Sequence, residues 1–119
     1  MLHQGRKDDN NKERMDLVPW NSVREMAKAL TFGAAKYGDN NWREGIKHSR
    51  LFASAMRHLT FYWSGETLDQ ESGLNHIAHA MTNLAMMAET PEWDDRYFTG
   101  VLEEIWKLSD EKLRDIKED

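Results

Sequence analysis

Residues 74–89, Leu74-Asn75-His76-Ile77-Ala78-His79-Ala80-Met81-Thr82-Asn83-Leu84-Ala85-Met86-Met87-Ala88-Glu89, decide the fold. Their apolar side chains (Leu74, Ile77, Ala78, Ala80, Met81, Leu84, Ala85, Met86, Met87) fall almost all round a helical wheel, and Pro91 closes the run. A helix that is apolar on most of its circumference is buried on several sides. About four short helices from one chain rarely enclose such a helix, so the segment predicts association between copies as well as a bundle.

The neighbouring segments follow the same period. Leu51, Ala55, Leu59 and Tyr62 recur at helical spacing from about residue 48 to just before Gly65, with His58 on the same side. Phe52, Met56 and Trp63 widen that apolar surface. Upstream, Pro19 suits a first helical turn, and Val23, Met26, Ala27, Leu30 and Ala34 make a stripe running to about Tyr37. Gly33 lowers the helix propensity of that stretch, which a close backbone neighbour would explain. A last helix is expected over residues 99–116, with Val101, Ile105, Leu108 and Leu113 able to pack. No segment alternates as a strand does. The reading is an all-α, short helical bundle in one domain of 119 residues: a charged, irregular arm (1–16), a helical core (17–90), and a C-terminal helix and tail (91–119).

Composition bounds the function. The chain has no cysteine, which excludes disulfides, thiolate metal sites and a cysteine nucleophile, and fits the cytoplasm. No apolar run approaches the ~18 residues that span a bilayer, and the polar first residues do not read as a secretory signal. Charge is uneven. Residues 1–60 hold 11 Lys and Arg against 7 Asp and Glu, whereas residues 61–119 hold 5 against 14. The basic half suits a small anionic ligand, and the acidic half speaks against a duplex nucleic-acid surface.

Three stretches carry candidate chemistry. The turn at residues 32–45, FGAAKYGDNNWREG, combines turn-forming Gly38, Asp39, Asn40 and Asn41 with Lys36, Tyr37, Trp42 and Arg43, and Lys47 follows. Its cations can meet phosphate, and Trp42 either stacks on a base or packs on the core. The charged arm offers Arg6, Lys7, Lys12 and Arg14 as an anion clamp if it folds back. On the central helices, His76, His79 and Asn83 share one face, and antiparallel packing brings His58, with Arg57 beside it, towards them. Glu66, Asp69 and Glu71 precede that face by a few residues. Imidazole with carboxylate suits Mn²⁺, Fe²⁺ or Zn²⁺, and carboxylates alone suit Mg²⁺. The same histidines can instead bond to carboxylates across a helix interface, or contact a ligand's phosphates directly. No P-loop, nucleophile elbow or dinucleotide fingerprint is present.

In order, the chain shows K-x-D-x-x-K-x-R-x-x-L-x-P (Lys7 to Pro19), F-G-A-x-K-Y-G-x-x-N-W-x-x-G (Phe32 to Gly45), R-H-L (Arg57, His58, Leu59) and G-E-x-x-D-x-E-S-G-x-x-H-x-A-H-A-x-x-N (Gly65 to Asn83). This set resembles the phage-associated family described as the dATP/dGTP diphosphohydrolase N-terminal domain, over residues 7 to about 90. The helical pattern also looks like the all-α MazG-like nucleotide pyrophosphohydrolases, which hold Mg²⁺ with E-x-x-E and E-x-x-D on two helices. The chain departs from the latter: it has His76-x-x-His79 where E-x-x-D would stand, and residues 49–63 contain neither Asp nor Glu.

The resemblance implies a phage nucleotide-handling protein that takes a purine deoxynucleotide. As an enzyme it would be a metal-dependent dNTP pyrophosphohydrolase using Mg²⁺ or Mn²⁺. Glu66, Asp69, Glu71 and His79 form the candidate catalytic set, and Glu66, Asp69, Glu71, His76 and His79 the candidate metal ligands. Arg6, Lys7, Lys12, Arg14, Lys36, Tyr37, Asn41, Trp42, Arg43, Arg57, His58 and Asn83 are the candidate ligand contacts. The alternatives are non-catalytic sequestration of a nucleotide immune signal, favoured by the missing acidic helix motif, and an interaction module docking through its charged loops.

Overall fold

The computed structural model describes residues 2–96 and Lys107. Among them are three α-helices, α1 (Trp20–Tyr37), α2 (His48–Trp63) and α3 (His76–Glu89), three short 3₁₀ turns and no strand, so the chain is all-α as its periodicity predicts. The helix expected over residues 99–116 falls, apart from Lys107, outside the described residues.

The most apolar helix lies at the centre. α3 packs against both α2 and α1, and most extensively against α2. Ala78 and Ala80 of α3 are buried together with Leu51 and Ala55 of α2 and Ala29 of α1. Small residues dominate this core, which lets the helix backbones approach closely. α3 starts two residues later than its apolar run suggests, because the Asn75 side chain accepts the Ile77 N–H at 2.8 Å and caps it. The far ends of α2 and α3 are tied where buried His48 donates through Nε2 to the Thr90 carbonyl at 2.7 Å. A buried carbonyl left without such a donor costs about 1–3 kcal/mol, so this one bond is a sizeable part of that corner's stability.

Several positions differ from the expected stripes. Ala27 is exposed and Ala29 takes the buried place on α1, because α1 meets α3 rather than a ring of helices. On α2, Leu59 and Tyr62 are exposed, as are Phe52, Met56 and Trp63 (89%). α2 therefore buries a narrow seam and presents the rest of its apolar surface outward. A Cβ at Gly33 would meet nothing within 4 Å, so no close neighbour explains that glycine. Gly45 is the opposite case: it has φ +119°, and a Cβ there would lie 2.0 Å from the Trp93 ring, so Trp93 packs on the bare glycine face. No helix among the described residues is long and apolar enough to cross a membrane.

Candidate functional site: a histidine–carboxylate cluster between the helices

The link 64–75 is folded by its own hydrogen bonds into a compact loop that delivers side chains to the α2–α3 seam. Leu74 O accepts the Asp69 N–H at 2.7 Å, Asp69 O accepts the Gly73 N–H at 2.8 Å, and Thr67 O accepts the His76 N–H at 3.0 Å. Gly73, at φ +72°, supplies the left-handed turn this closure requires. At the loop's outer edge Glu71 pairs with Lys36 of α1 at 2.5 Å. The link is thereby tied to all three helices.

Inside this frame the imidazoles meet as the helical spacing predicts. Nδ1 of His58 lies 2.9 Å from Nδ1 of His76, whose Nε2 is 3.3 Å from Glu66 Oε1. His76 is only 1% exposed, and both of its ring nitrogens are engaged. His58 also stacks on His79, with ring centroids 4.6 Å apart and an interplanar angle of 14°. His79 Nε2 is 2.6 Å from Ser72 Oγ, which also accepts the Leu74 N–H at 3.1 Å. The Ser72 N–H in turn donates to Asp69 Oδ2 at 2.8 Å. Phe61 stacks on His76 and Phe32 meets His79 edge-on, so aromatic rings wall the cluster.

Electrostatics favours neutral rings here. Burial pushes His58 below the ordinary imidazole range; neighbouring His79 adds to this and Asp69 opposes it. Burial lowers His79 in the same direction, against the pull of Asp69. Burial would raise Asp69, but hydrogen bonds from Ser72 and the nearby histidines outweigh it, and its carboxyl sits below the usual range. The arrangement is thus an ionised carboxylate facing imidazoles that keep their lone pairs, the state in which these groups act as bases or metal ligands. Among the described residues, His58, Asp69 and His76 can each present one ligand atom such that all three lie within 4.8 Å of one another.

The other candidate residues sit elsewhere. Glu66 is on the far side of His76, behind the ring, and Glu71 faces Lys36 at the surface. Asn83 donates to Ser54 Oγ at 3.1 Å and to the His79 carbonyl at 3.0 Å, which knits α3 to α2. Arg57 and Tyr37 are exposed, and Asn41 is half-buried. Arg43 covers the Trp42 ring, 4.3 Å from its centroid, and bonds to Asn40. On the arm, Arg6, Lys7, Lys12 and Arg14 are exposed; Lys12 bonds to the Asp8 carbonyl and Arg14 to the Asp16 carboxylate, so the arm is not folded onto the cluster. An open groove of ≈ 420 Å³ between α1 and α3, lined by Arg24, Lys28, Asn75 and Met81 among others, also involves Ile77 and Ala78. At about 100° per residue those α3 positions face away from His76 and His79, so the groove is separate from the cluster.

Sequence reasoning gave no role to Ser72, Phe61 or Phe32. Ser72 carried a usable signal, standing three residues after Asp69, the spacing at which an Asp side chain takes up a backbone N–H in a turn. Phe32 stood at the head of the F-G-A-x-K-Y-G motif without a role of its own, and Phe61, off the α2 stripe, carried no signal.

Fold and site together define a helical protein with a histidine–carboxylate cluster set between two antiparallel-type neighbours and their linking loop. The family model for the dATP/dGTP diphosphohydrolase N-terminal region matches residues 3–96, and the chain belongs to that family. A protein of Salmonella phage PMBT28 named dATP/dGTP diphosphohydrolase is 32% identical over 102 residues, covering 82% of this chain and 35% of that protein. The chain thus spans about a third of the length of that relative. No solved structure matches.

Proposed function

We propose that this chain binds a purine deoxynucleoside triphosphate and hydrolyses one of its phosphoanhydride bonds with a divalent ion held in the histidine–carboxylate cluster. One observation carries the reading: His58 of α2, Asp69 of the link and His76 of α3 converge within 4.8 Å in a chain of this family. Two imidazoles and a carboxylate fit a divalent ion by donor type. Such an ion supplies Lewis acidity at a phosphoryl oxygen and eases deprotonation of water.

The chain's own residues account for the rest. His79, kept neutral by burial, is available as a base, and the Ser72 hydroxyl on its Nε2 relays the proton, taking one from the attacking water as it gives its own to His79. In the reaction, water adds to phosphorus, the P–O bond to the leaving phosphate group breaks, and His79 gains one proton through Ser72. Arg57, exposed beside His58, and Lys36, at the rim through Glu71, are cations for the phosphates. Among the ring faces around the turn, Trp42 is the stacking surface for the base once Arg43 swings aside.

A second reading, retention of the nucleotide without turnover, is favoured by the absence of Asp and Glu from residues 49–63, which leaves α2 no acidic pair. One experiment separates the two. The protein is incubated with dATP, dGTP, dCTP and dTTP and Mn²⁺ or Mg²⁺, and the nucleotides are followed by chromatography. Conversion of dATP and dGTP that stops with chelator, and with Asp69→Asn at unchanged helical circular dichroism, is the expected result. Nucleotides recovered bound but intact mean sequestration, and nucleotides neither bound nor converted overturn both readings.

A further inference from the structure

We propose that the cluster is a site for one transition-metal ion, held by Nδ1 of His58, Nδ1 of His76 and the Asp69 carboxylate, and that Glu66 is a positioning residue that sets the His76 tautomer. This deepens, and in its catalytic meaning rests on, the reading given above.

The argument starts at His76. Its ring is buried, and its Nε2 is within 3.3 Å of Glu66 Oε1. A carboxylate oxygen accepts, so this contact is a hydrogen bond in the tautomer that carries the proton on His76 Nε2, the one the proposal assigns. A neutral ring protonated there has its lone pair on Nδ1, the atom that faces His58 Nδ1 at 2.9 Å. A carboxylate behind the ring with the opposite nitrogen free for a metal is the usual outer arrangement of metal-ligating histidines, where it fixes tautomer and ring orientation. Without an ion, His58 must then donate from Nδ1 to fill the contact. With one, His58 moves its proton to Nε2 and both Nδ1 atoms offer lone pairs. Ring charge does not change in that exchange, so it adds no buried charge.

The spacing fits. Two nitrogens each about 2.0–2.1 Å from one ion lie about 2.9 Å apart at a right angle and about 3.3–3.4 Å apart at the tetrahedral angle, so the 2.9 Å contact suits a six-coordinate ion directly and a tetrahedral one once the rings part by about 0.4 Å. Asp69 supplies the third donor, and its other contact, from the Ser72 N–H to Oδ2, leaves acceptor capacity on the carboxylate. Two imidazoles against one carboxylate select Mn²⁺, Fe²⁺, Co²⁺ or Zn²⁺; Mg²⁺ favours oxygen donors and water. Of the ligands expected from sequence for Mg²⁺ or Mn²⁺ (Glu66, Asp69, Glu71, His76 and His79), this site keeps Asp69 and His76 and adds His58, while Glu66 acts through His76, Glu71 pairs with Lys36 and His79 contacts Ser72.

The test strips the protein with chelator and titrates it with Co²⁺, Zn²⁺ and Mg²⁺ by calorimetry and by the visible absorption of Co²⁺. The expected result is one Co²⁺ or Zn²⁺ per chain, not displaced by millimolar Mg²⁺. Asp69→Asn removes binding, and Glu66→Ala weakens it 10–100-fold. Glu66→Gln, whose amide oxygen still accepts, restores part of the loss. His76→Ala removes a buried group and can fail to fold; the tautomers therefore give an independent readout. Nitrogen-15 spectra of the imidazoles should show His58 protonated on Nδ1 in the stripped protein and on Nε2 with Zn²⁺. A folded protein that binds neither Co²⁺ nor Zn²⁺, or a stripped protein with His76 protonated on Nδ1, overturns the proposal and leaves a structural hydrogen bond between histidines. An ion bound without nucleotide conversion refutes the catalytic reading and keeps the site. Conversion supported by Mg²⁺ with no Co²⁺ or Zn²⁺ bound does the reverse.

Discussion

The Nδ1 atoms of His58 and His76 face each other at 2.9 Å across the seam between α2 and α3. Two like acceptors at that distance repel unless a proton or a cation lies between them. The contact therefore makes the protonation of the seam, and not only its packing, a property of the fold. Both histidines also carry an aromatic neighbour, His79 on one and Phe61 on the other, which limits how far either ring can turn.

Gly45→Ala tests the packing of the 32–45 turn on the residues after α3. A Cβ there collides with the Trp93 ring, and the φ of +119° is costly for any side chain. Backbone strain of this kind is worth about 1–3 kcal/mol, to which displacement of the ring adds. Denaturant unfolding should show a loss of at least that size. Adding Trp93→Ala should relieve the collision and leave the backbone part, so the double variant is less destabilised than the two single losses summed.

Asp95 ties the chain beyond α3 to the start of α2, accepting from the Ser49 hydroxyl and from the Ser49 N–H at 2.9 Å. Those bonds hold its carboxyl below the usual carboxylate range. A lowered folded pKa contributes stability that is present above the unfolded value of about 3.9 and is lost as pH falls through the folded value. Asp95→Asn should lower the melting temperature at pH 7, and the gap to the parent protein should close below about pH 4. A gap that stays constant down to pH 2 would show the carboxylate charge to be irrelevant.

The proposed stacking of a base on Trp42 can be tested directly. Its ring is half-buried and capped by Arg43. Stacking of one base is worth about 1–3 kcal/mol, so Trp42→Ala should weaken dATP binding by that amount in calorimetry. Unchanged affinity with a lowered melting temperature would make Trp42 a packing residue.

The outward row Phe52, Met56, Leu59 and Trp63 on α2 has the 4-3-4 spacing of a coiled-coil seam, and every member is exposed. That spacing is self-complementary in a two-fold pairing, so a second copy of the chain is its expected partner. Light scattering at micromolar concentration should give a dimer, and Met56→Glu with Trp63→Glu should give a monomer with the same helical circular dichroism. A monomeric parent protein rules the pairing out. The apolar circumference of residues 74–87 points to association through α3 as well; α1 and α2 bury Ala78, Ala80 and Thr82 there and leave Leu84 exposed, so a dimer that persists in the α2 double variant would place the contact on α3.

The sequence by itself determined the helices and the company of the site. Period 3.6 in the apolar residues placed α1, α2 and α3 to within a residue or two, and the i, i+3 spacing put His76 and His79 on the face that meets α2. The ordered motifs from Lys7 to Asn83 pointed to the family that the family model then matched. These are local properties, written in the chain's own order. Only the tertiary structure decided which atoms face which. The direction of Glu66 and Glu71 depends on how a twelve-residue link closes on itself, through bonds such as Asp69 N–H to Leu74 O that composition does not encode. Likewise, whether Leu59 and Tyr62 are core or surface depends on which helices are present to cover α2. Helical periodicity fixes a face relative to its own axis; what lies opposite that face is settled by the packing of segments distant in sequence.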